Sequence, residues 1–345
     1  MAYTTIKKST DYFNTKLWTG NGGTQSITGV GFQPDFTWIK ERSESRGHNL
    51  TDAVRAAPKY VNSASTDAEV TTVSTTLTSF DSDGFSLGSY DDVNKNSQTY
   101  VGWSWKANGA GSANTDGSIN STVSANTTSG FSIVKYVATG SNATVGHGLG
   151  VAPAFIILKN LDSTRSWTVG SNGLTDWSYH VYLDATNAQN SDSTMFQSTA
   201  PTSTVFSVGT AAETNESGDN FIGYCFAEKI GYSKFGSYKG NGNADGTFVY
   251  TGFKPAFVII KKTTAGDDWY MNTGKINGYN VQNDFLAPNT NAAEVVDNTA
   301  QPIDMLSNGF KMRGTGTGNN SSGVSYIYMA FASEPLVGDN PATAR

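Results

Sequence analysis

Gly31-Phe32-Gln33-Pro34-Asp35-Phe36-Thr37-Trp38-Ile39-Lys40 returns as Gly150-Val151-Ala152-Pro153-Ala154-Phe155-Ile156-Ile157-Leu158-Lys159, and again as Gly252-Phe253-Lys254-Pro255-Ala256-Phe257-Val258-Ile259-Ile260-Lys261. Pro34, Pro153 and Pro255 stand 119 and 102 residues apart, too far for a solenoid repeat and about the length of a small domain. After each proline, Phe36, Trp38 and Lys40 alternate with Thr37 and Ile39, as Phe155, Ile157 and Lys159 do with Ile156 and Leu158, and Phe257, Ile259 and Lys261 with Val258 and Ile260. Proline is tolerated at a strand's first residue, and a strand apolar on both faces is a central one covered on both sides. The three lysines are expected to emerge at the strand ends as solvated groups.

Working outward, each repeat opens with a strand and a Gly/Asn turn: Tyr12 to Gly22, Phe131 to Asn142, and Tyr232 to Gly242. Each closes with a second strand, Tyr100-Val101-Gly102-Trp103-Ser104-Trp105, Phe221-Ile222-Gly223-Tyr224-Cys225-Phe226 and Tyr326-Ile327-Tyr328-Met329-Ala330-Phe331, whose period of two directs a large apolar face toward a core. Phe85, Phe206 and Phe310 precede Trp103, Tyr224 and Met329 by 18, 18 and 19 residues, so the register is kept. These aromatic stripes read as core before they read as sugar platforms.

The fold expected is all-β, with three tandem antiparallel β-sandwich modules of jelly-roll-like form. Their bounds are 1–106, 118–230 and 231–335, with a linker at 107–117 and a C-terminal tail at 336–345. Ala107-Asn108-Gly109-Ala110-Gly111-Ser112-Ala113-Asn114 suggests a flexible connection, after which Ser118 to Val123 forms an extra strand leading module 2. Modules 2 and 3 are then packed rigidly and module 1 is freer.

Composition narrows the function. A net charge of −6 and a pI near 5.1 give no electrostatic footprint for nucleic acid or an anionic membrane, and no 18-residue apolar run offers a membrane span. One cysteine, Cys225, excludes a disulfide framework within the chain and reads as a buried hydrophobe. The N-terminal residues carry no hydrophobic signal region, which predicts synthesis in a cytoplasm without a signal peptide.

The repeat serves as a control on candidate chemistry. His48 lies eight residues past Lys40, where the other repeats place Trp167 and Trp269, so it reads as an aromatic packing position and not as an acid or base. His147 and His180 have no metal-binding partner motif, and no HxH or HExxH occurs. Asp81-Ser82-Asp83-Gly84 resembles a cation loop, but its counterpart Leu306-Ser307-Asn308-Gly309 lacks both acids; a hairpin turn with positive φ is the shared requirement. Asp91-Asp92 and Asp267-Asp268 are loop acid pairs of the type a glycosidase uses, without a motif around them. Catalytic, cofactor-binding and metal-binding residues are accordingly assigned as none. Trp167, Trp177 and Trp269, read as loop aromatics, are the candidates for surface contact with a glycan.

The segments Asn14 to Gly22, Gly29 to Lys40, Asp81 to Phe85 and Val101 to Ala107, with Gly130 to Val134, Val145 to Gly150 and the terminal Asn340-Pro341-Ala342-Thr343-Ala344-Arg345, resemble a β-module recurrent in proteins of marine tailed bacteriophages, often labelled tail fibre or structural protein. The resemblance covers nearly the whole chain and implies a non-enzymatic virion protein, a tail fibre or appendage subunit that docks on other virion proteins and contacts the host surface. It further implies a homo-oligomer such as a trimer; from composition and the missing motifs, no cofactor, no nucleic acid and no membrane insertion are expected. The readings left open are a capsid-surface decoration protein, a glycan-binding lectin-like module built on the three tryptophans, and a tailspike-type glycan-degrading enzyme using Asp267, Asp268 or Asp91. No heptad or shaft repeat is present to assemble a trimer.

Overall fold

The structure, a computed structural model, describes residues 4–335; the 336–345 tail and its Asn340-to-Arg345 motif lie outside the described residues. The fold is all-β, built of antiparallel sheets, and the helices are single turns of at most four residues. One strand order occurs three times. In repeat 1 the opening strand Phe13–Thr19 pairs with the closing strand Thr99–Trp105, which pairs with the proline strand Phe36–Glu41, which pairs with an outer strand His48–Asp52. The same order runs through Phe131–Val137, Asn220–Phe226, Phe155–Asn160 and Thr168–Ser171, and through Ser233–Lys239, Ser325–Pro335, Phe253–Lys262 and Trp269–Thr273. In repeat 2 the sheet grows to eight strands by additions at both edges.

A smaller sheet covers one face of each large sheet: Gln25–Thr28, Gly84–Leu87 and Leu77–Asp81 in repeat 1; Ala143–Gly146 and Val205–Val208 in repeat 2; Phe248–Tyr250, Gly309–Met312 and Ile303–Leu306 in repeat 3. Because side chains alternate along a strand, Ile39, Ile156 and Leu158, and Val258 and Ile260 enter these three local cores. Rings stack there at equivalent positions, Trp18 on Tyr100, Tyr136 on Phe221 and Tyr238 on Tyr326, at 5.5, 5.3 and 5.1 Å between centroids.

The opposite faces of the three large sheets meet one another. Phe36, Trp38, Trp103 and Trp105, then Phe155, Ile157, Tyr224 and Phe226, then Phe257, Ile259, Met329 and Phe331 form a single core. At its centre the matching residues Trp105, Phe226 and Phe331 make a triangle with centroid separations of 6.4, 5.9 and 5.7 Å. Each sheet is therefore buried on both sides, as the apolar pattern of the proline strands requires.

Two expectations are corrected here. The segment after repeat 1 is not a free linker: Ala107 and Gly109 donate their backbone N–H to the two carboxylate oxygens of buried Asp35, at 2.7 and 3.0 Å, and Ser112–Asn114 pairs as a strand with Ser121–Asn126. Repeat 1 is not the looser one, since it supplies a third of the shared core. The extra strand leading repeat 2 is present, at Ser121–Asn126.

Candidate functional site

The residues with chemical potential converge on the seams between repeats. Lys40, Lys159 and Lys261 are fully buried, contrary to the solvated ends expected of them. The strand carries each one under a loop of a neighbouring repeat, where carbonyl oxygens replace water. Lys159 Nζ donates to Thr66 O (2.7 Å) and Arg165 O (2.6 Å), Lys261 Nζ to Thr186 O (2.8 Å) and Asp267 O (2.5 Å), and Lys40 Nζ to Glu41 O (2.7 Å) with Asn291 O at 3.5 Å. Burial pushes each ammonium down to about 8.

His48, Trp167 and Trp269 do occupy one equivalent position, and it is an inter-repeat contact. Trp167 Nε1 donates to Asn62 O (3.0 Å) and Ser65 O (3.2 Å), and Trp269 Nε1 to Tyr182 O (2.9 Å). His48 Nε2 lies 3.1 Å from Ala287 O and 3.2 Å from Thr290 O. Trp38 Nε1 donates to His48 Nδ1 at 2.9 Å, which leaves the imidazole proton on Nε2 and makes the ring a donor like the indoles. Burial pushes His48 down to about 3, so it is neutral. Return bonds recur as well: Glu69 N to Leu161 O, Gln189 N to Thr263 O and Glu294 N to Arg42 O, at 2.8, 2.9 and 2.8 Å. Repeat 1 thus reaches into repeat 3, repeat 2 into repeat 1, and repeat 3 into repeat 2, a heterologous contact that closes on itself.

Trp167 and Trp269 are consequently not surface residues, and neither indole face is open to a sugar. Trp177 is buried too, edge-on to Phe196 at 5.5 Å, with Nε1 donating to Asn172 Oδ1 at 2.8 Å.

The remaining candidates do not come together. His147 accepts from Leu149 N at Nδ1, which places its proton on Nε2 toward Thr202 O (3.2 Å). His180 is buried on Tyr182 with neither ring nitrogen bonded, and burial lowers its pKa. Cys225 is buried and its thiol is pushed up by burial. Asp83 accepts from Gly29 N (2.9 Å) and Gly31 N (2.7 Å), clamping the loop before the proline strand, and Asp81 accepts from Ser79 and Ser86. Of the two glycines in that comparison only Gly84 has a positive φ; what Gly84 and Gly309 share is that a Cβ would run into the carbonyls of Ile27 and Val249. Asp91 pairs with Arg46 (3.0 Å), Asp267 accepts from the Tyr270 hydroxyl (2.9 Å), and Asp268 accepts from Asn289 Nδ2 (2.7 Å). Among the described residues no group of three or more His, Cys, Asp or Glu side chains is placed to hold a metal ion, and no helix is long and apolar enough to cross a membrane.

Two features escaped the sequence reading. Asp52, Arg55 and Tyr224 form a buried cluster in which Arg55 Nε donates to Asp52 (2.5 Å) and the Tyr224 hydroxyl donates to Asp52 (2.9 Å), tying repeats 1 and 2. Asn94, Asn215 and Asn320, each fully buried and each nine residues before Trp103, Tyr224 or Met329, tie the turn after the opening strand of every repeat to the loop before its closing strand. Asn215 accepts from Thr139 N and donates to Ser141 O and Gly209 O; Asn320 accepts from Asn241 N and donates to Asn243 O and Gly314 O. The constant spacing was the signal for them.

A surface recess of about 170 Å³ lies on repeat 3 between Lys254, Lys275, Tyr279 and Met305. It touches neither the acid pairs nor the histidines. A family model spans nearly all of this architecture, covering residues 8–335, and it is described as Domain of unknown function (DUF7483). The chain belongs to the DUF7483 family. A comparison with curated proteins gives no match. In this DUF7483 chain the conspicuous polar side chains are thus distributed among seams, turns and local clamps.

Proposed function

We propose that the chain is a non-enzymatic structural subunit of a tailed-phage particle, a tail fibre or appendage component that docks on other virion proteins. The observation that carries this reading is the closed triangle of sheets: the lysines, His48, Trp167 and Trp269 are all spent on holding one repeat to the next. A body fixed in this way is a scaffold, and scaffolds of this kind present contacts through the loops and edges they hold rigid. The likeness of Gly29 to Lys40 and Val101 to Ala107 to the marine-phage β-module supplies the particle context. The heterologous closure also places three copies of a module around one centre within a single chain, so threefold burial of these sheets needs no trimer.

The lectin reading loses its residues with the burial of Trp167, Trp177 and Trp269. The experiment is mass spectrometry of gradient-purified particles together with antibody labelling in electron microscopy. Labelling at the tail, at constant stoichiometry to a tail protein, is expected. Label spread evenly over the capsid shifts the assignment to decoration, and a chain found in infected cells but never in particles overturns the virion reading.

A further inference from the structure

The small sheets differ at one edge. Ile27, Val145 and Val249 are equivalent, since they pair with Phe85, Phe206 and Phe310 and point into the local cores. Their neighbours point outward: Ser26 and Thr28 in repeat 1, Thr144 and Gly146 in repeat 2, Phe248 and Tyr250 in repeat 3. The Met312 N–H bonds Thr247 O and the Thr251 N–H bonds Asn308 O, which makes Phe248 and Tyr250 the positions whose backbone N–H and C=O face away from the sheet.

In repeat 2 those same groups are occupied. Ile119 N donates to Thr144 O (3.0 Å), Thr144 N donates to Ser118 Oγ (2.8 Å), and Ser121 Oγ donates to Gly146 O (3.2 Å). Ile119 forms a parallel bridge with Val145 and buries its side chain in the local core. The covering strand comes from the long segment that precedes repeat 2. Repeat 3 is preceded only by Ala227 to Gly231 and receives no such cover from the described residues. Yet it is the repeat whose edge carries two large apolar rings, with Phe248 and Tyr250 exposed at 43% and 55%. An open apolar edge strand pairs readily with a further strand.

We propose that the outer edge of Phe248–Tyr250 is a docking site for an extended segment of a partner polypeptide, which adds there as Ser118 to Ser121 adds to the matching edge of repeat 2. Backbone bonds to Phe248 and Tyr250 give the pairing; an aliphatic side chain at the position of Ile119, with small hydroxyl residues one before it and two after it as Ser118 and Ser121 stand, gives the fit. The two rings line the cross-strand neighbours of the incoming segment. The site does not depend on the particle assignment, because the test below reads the edge and the particle experiment reads location.

The probe is a peptide of residues 115–122 with a photoreactive aliphatic residue in place of Ile119, irradiated with the full chain and mapped by mass spectrometry. Crosslinks concentrated on Phe248 to Tyr250 are expected, falling about tenfold in F248S/Y250T. That variant converts the edge to the residues repeat 1 already carries there, so a failure to fold is not expected, and circular dichroism checks it. Equal labelling at Ser26 to Thr28, or labelling confined to Ala143 to Gly146 where the peptide displaces its own segment, overturns the proposal. Dimerisation of the chain through the same strand, seen by sedimentation, or preferential labelling there by a peptide of residues 336–345, overturns the assignment to a separate partner.

Discussion

The seam between repeats 1 and 3 and the two seams built on Trp167 and Trp269 reach the same result with different rings. Where His48 donates from Nε2, its diagonal neighbour on the proline strand is Trp38; where an indole donates, the residue at that diagonal position is Ile157 or Ile259. A large residue on one strand is balanced by a smaller ring on the next, so the shared core keeps its volume while the donor stays aimed at the loop carbonyls. The position therefore requires a flat ring with one N–H donor. Histidine meets it only while neutral, and in that one respect the seams are not alike.

The largest effect should come from removing what all three seams share. Trp105→Ala at the central triangle is expected to cost about 3–5 kcal/mol and to lower the stability of all three repeats together, read by urea denaturation. A loss confined to repeat 1 would separate that repeat from the others. Next in size, Trp167→Ala should cost about 3 kcal/mol, combining a cavity with the carbonyls of Asn62 and Ser65 left without their donor. His48→Ala should cost about 2 kcal/mol, because the smaller ring leaves a smaller cavity although it strands the Trp38 N–H.

Acid distinguishes the seams. His48 is held near 3 in the folded state against an ordinary 6.5, so between those values the unfolded chain binds more protons and stability falls as pH falls. The loss relative to neutral pH should reach about 2.5 kcal/mol by pH 4.5. The exchange W38I/H48W copies the tryptophan seams and should flatten that part of the profile; an unchanged acid slope would remove His48 as its source. The smallest effect is alkaline and common to all seams. With each buried lysine near 8 against 10.5 when unfolded, the folded state holds fewer protons between these values, and stability rises with pH across them. About 1 kcal/mol per lysine is expected between pH 8 and 9, and Lys159→Met should reduce the slope by about a third in denaturation titrations.

Much of the architecture was legible because strand alternation and proline placement are local. The two-faced apolar pattern of Phe155 to Leu158 demanded cover on both sides, and the match of His48 with two tryptophans marked a packing position before any contact was known. What local pattern cannot carry is the closure. Lys40 meets Asn291 across 251 residues, and nothing in either segment encodes that distance. A lysine ending a strand ordinarily reaches water, so its burial becomes legible only once a neighbouring loop is seen to offer carbonyls. Trp167 and Trp269 were placed on the surface for the same reason: the loops that bury them belong to another repeat. Asn94, Asn215 and Asn320 were within reach of the repeat comparison, since their spacing to the closing strand is constant.

The central claim is that the repeats share one core and stand or fall together. The seven tryptophans sample them separately, with Trp18, Trp38, Trp103 and Trp105 in repeat 1, Trp167 and Trp177 in repeat 2 and Trp269 in repeat 3. Fluorine NMR of the chain labelled with 5-fluorotryptophan, followed through a urea titration, reads all seven at once. Coincident midpoints for every resonance are predicted. Loss of the repeat 1 signals at a lower urea concentration, with Trp167 and Trp269 still native, would contradict the account.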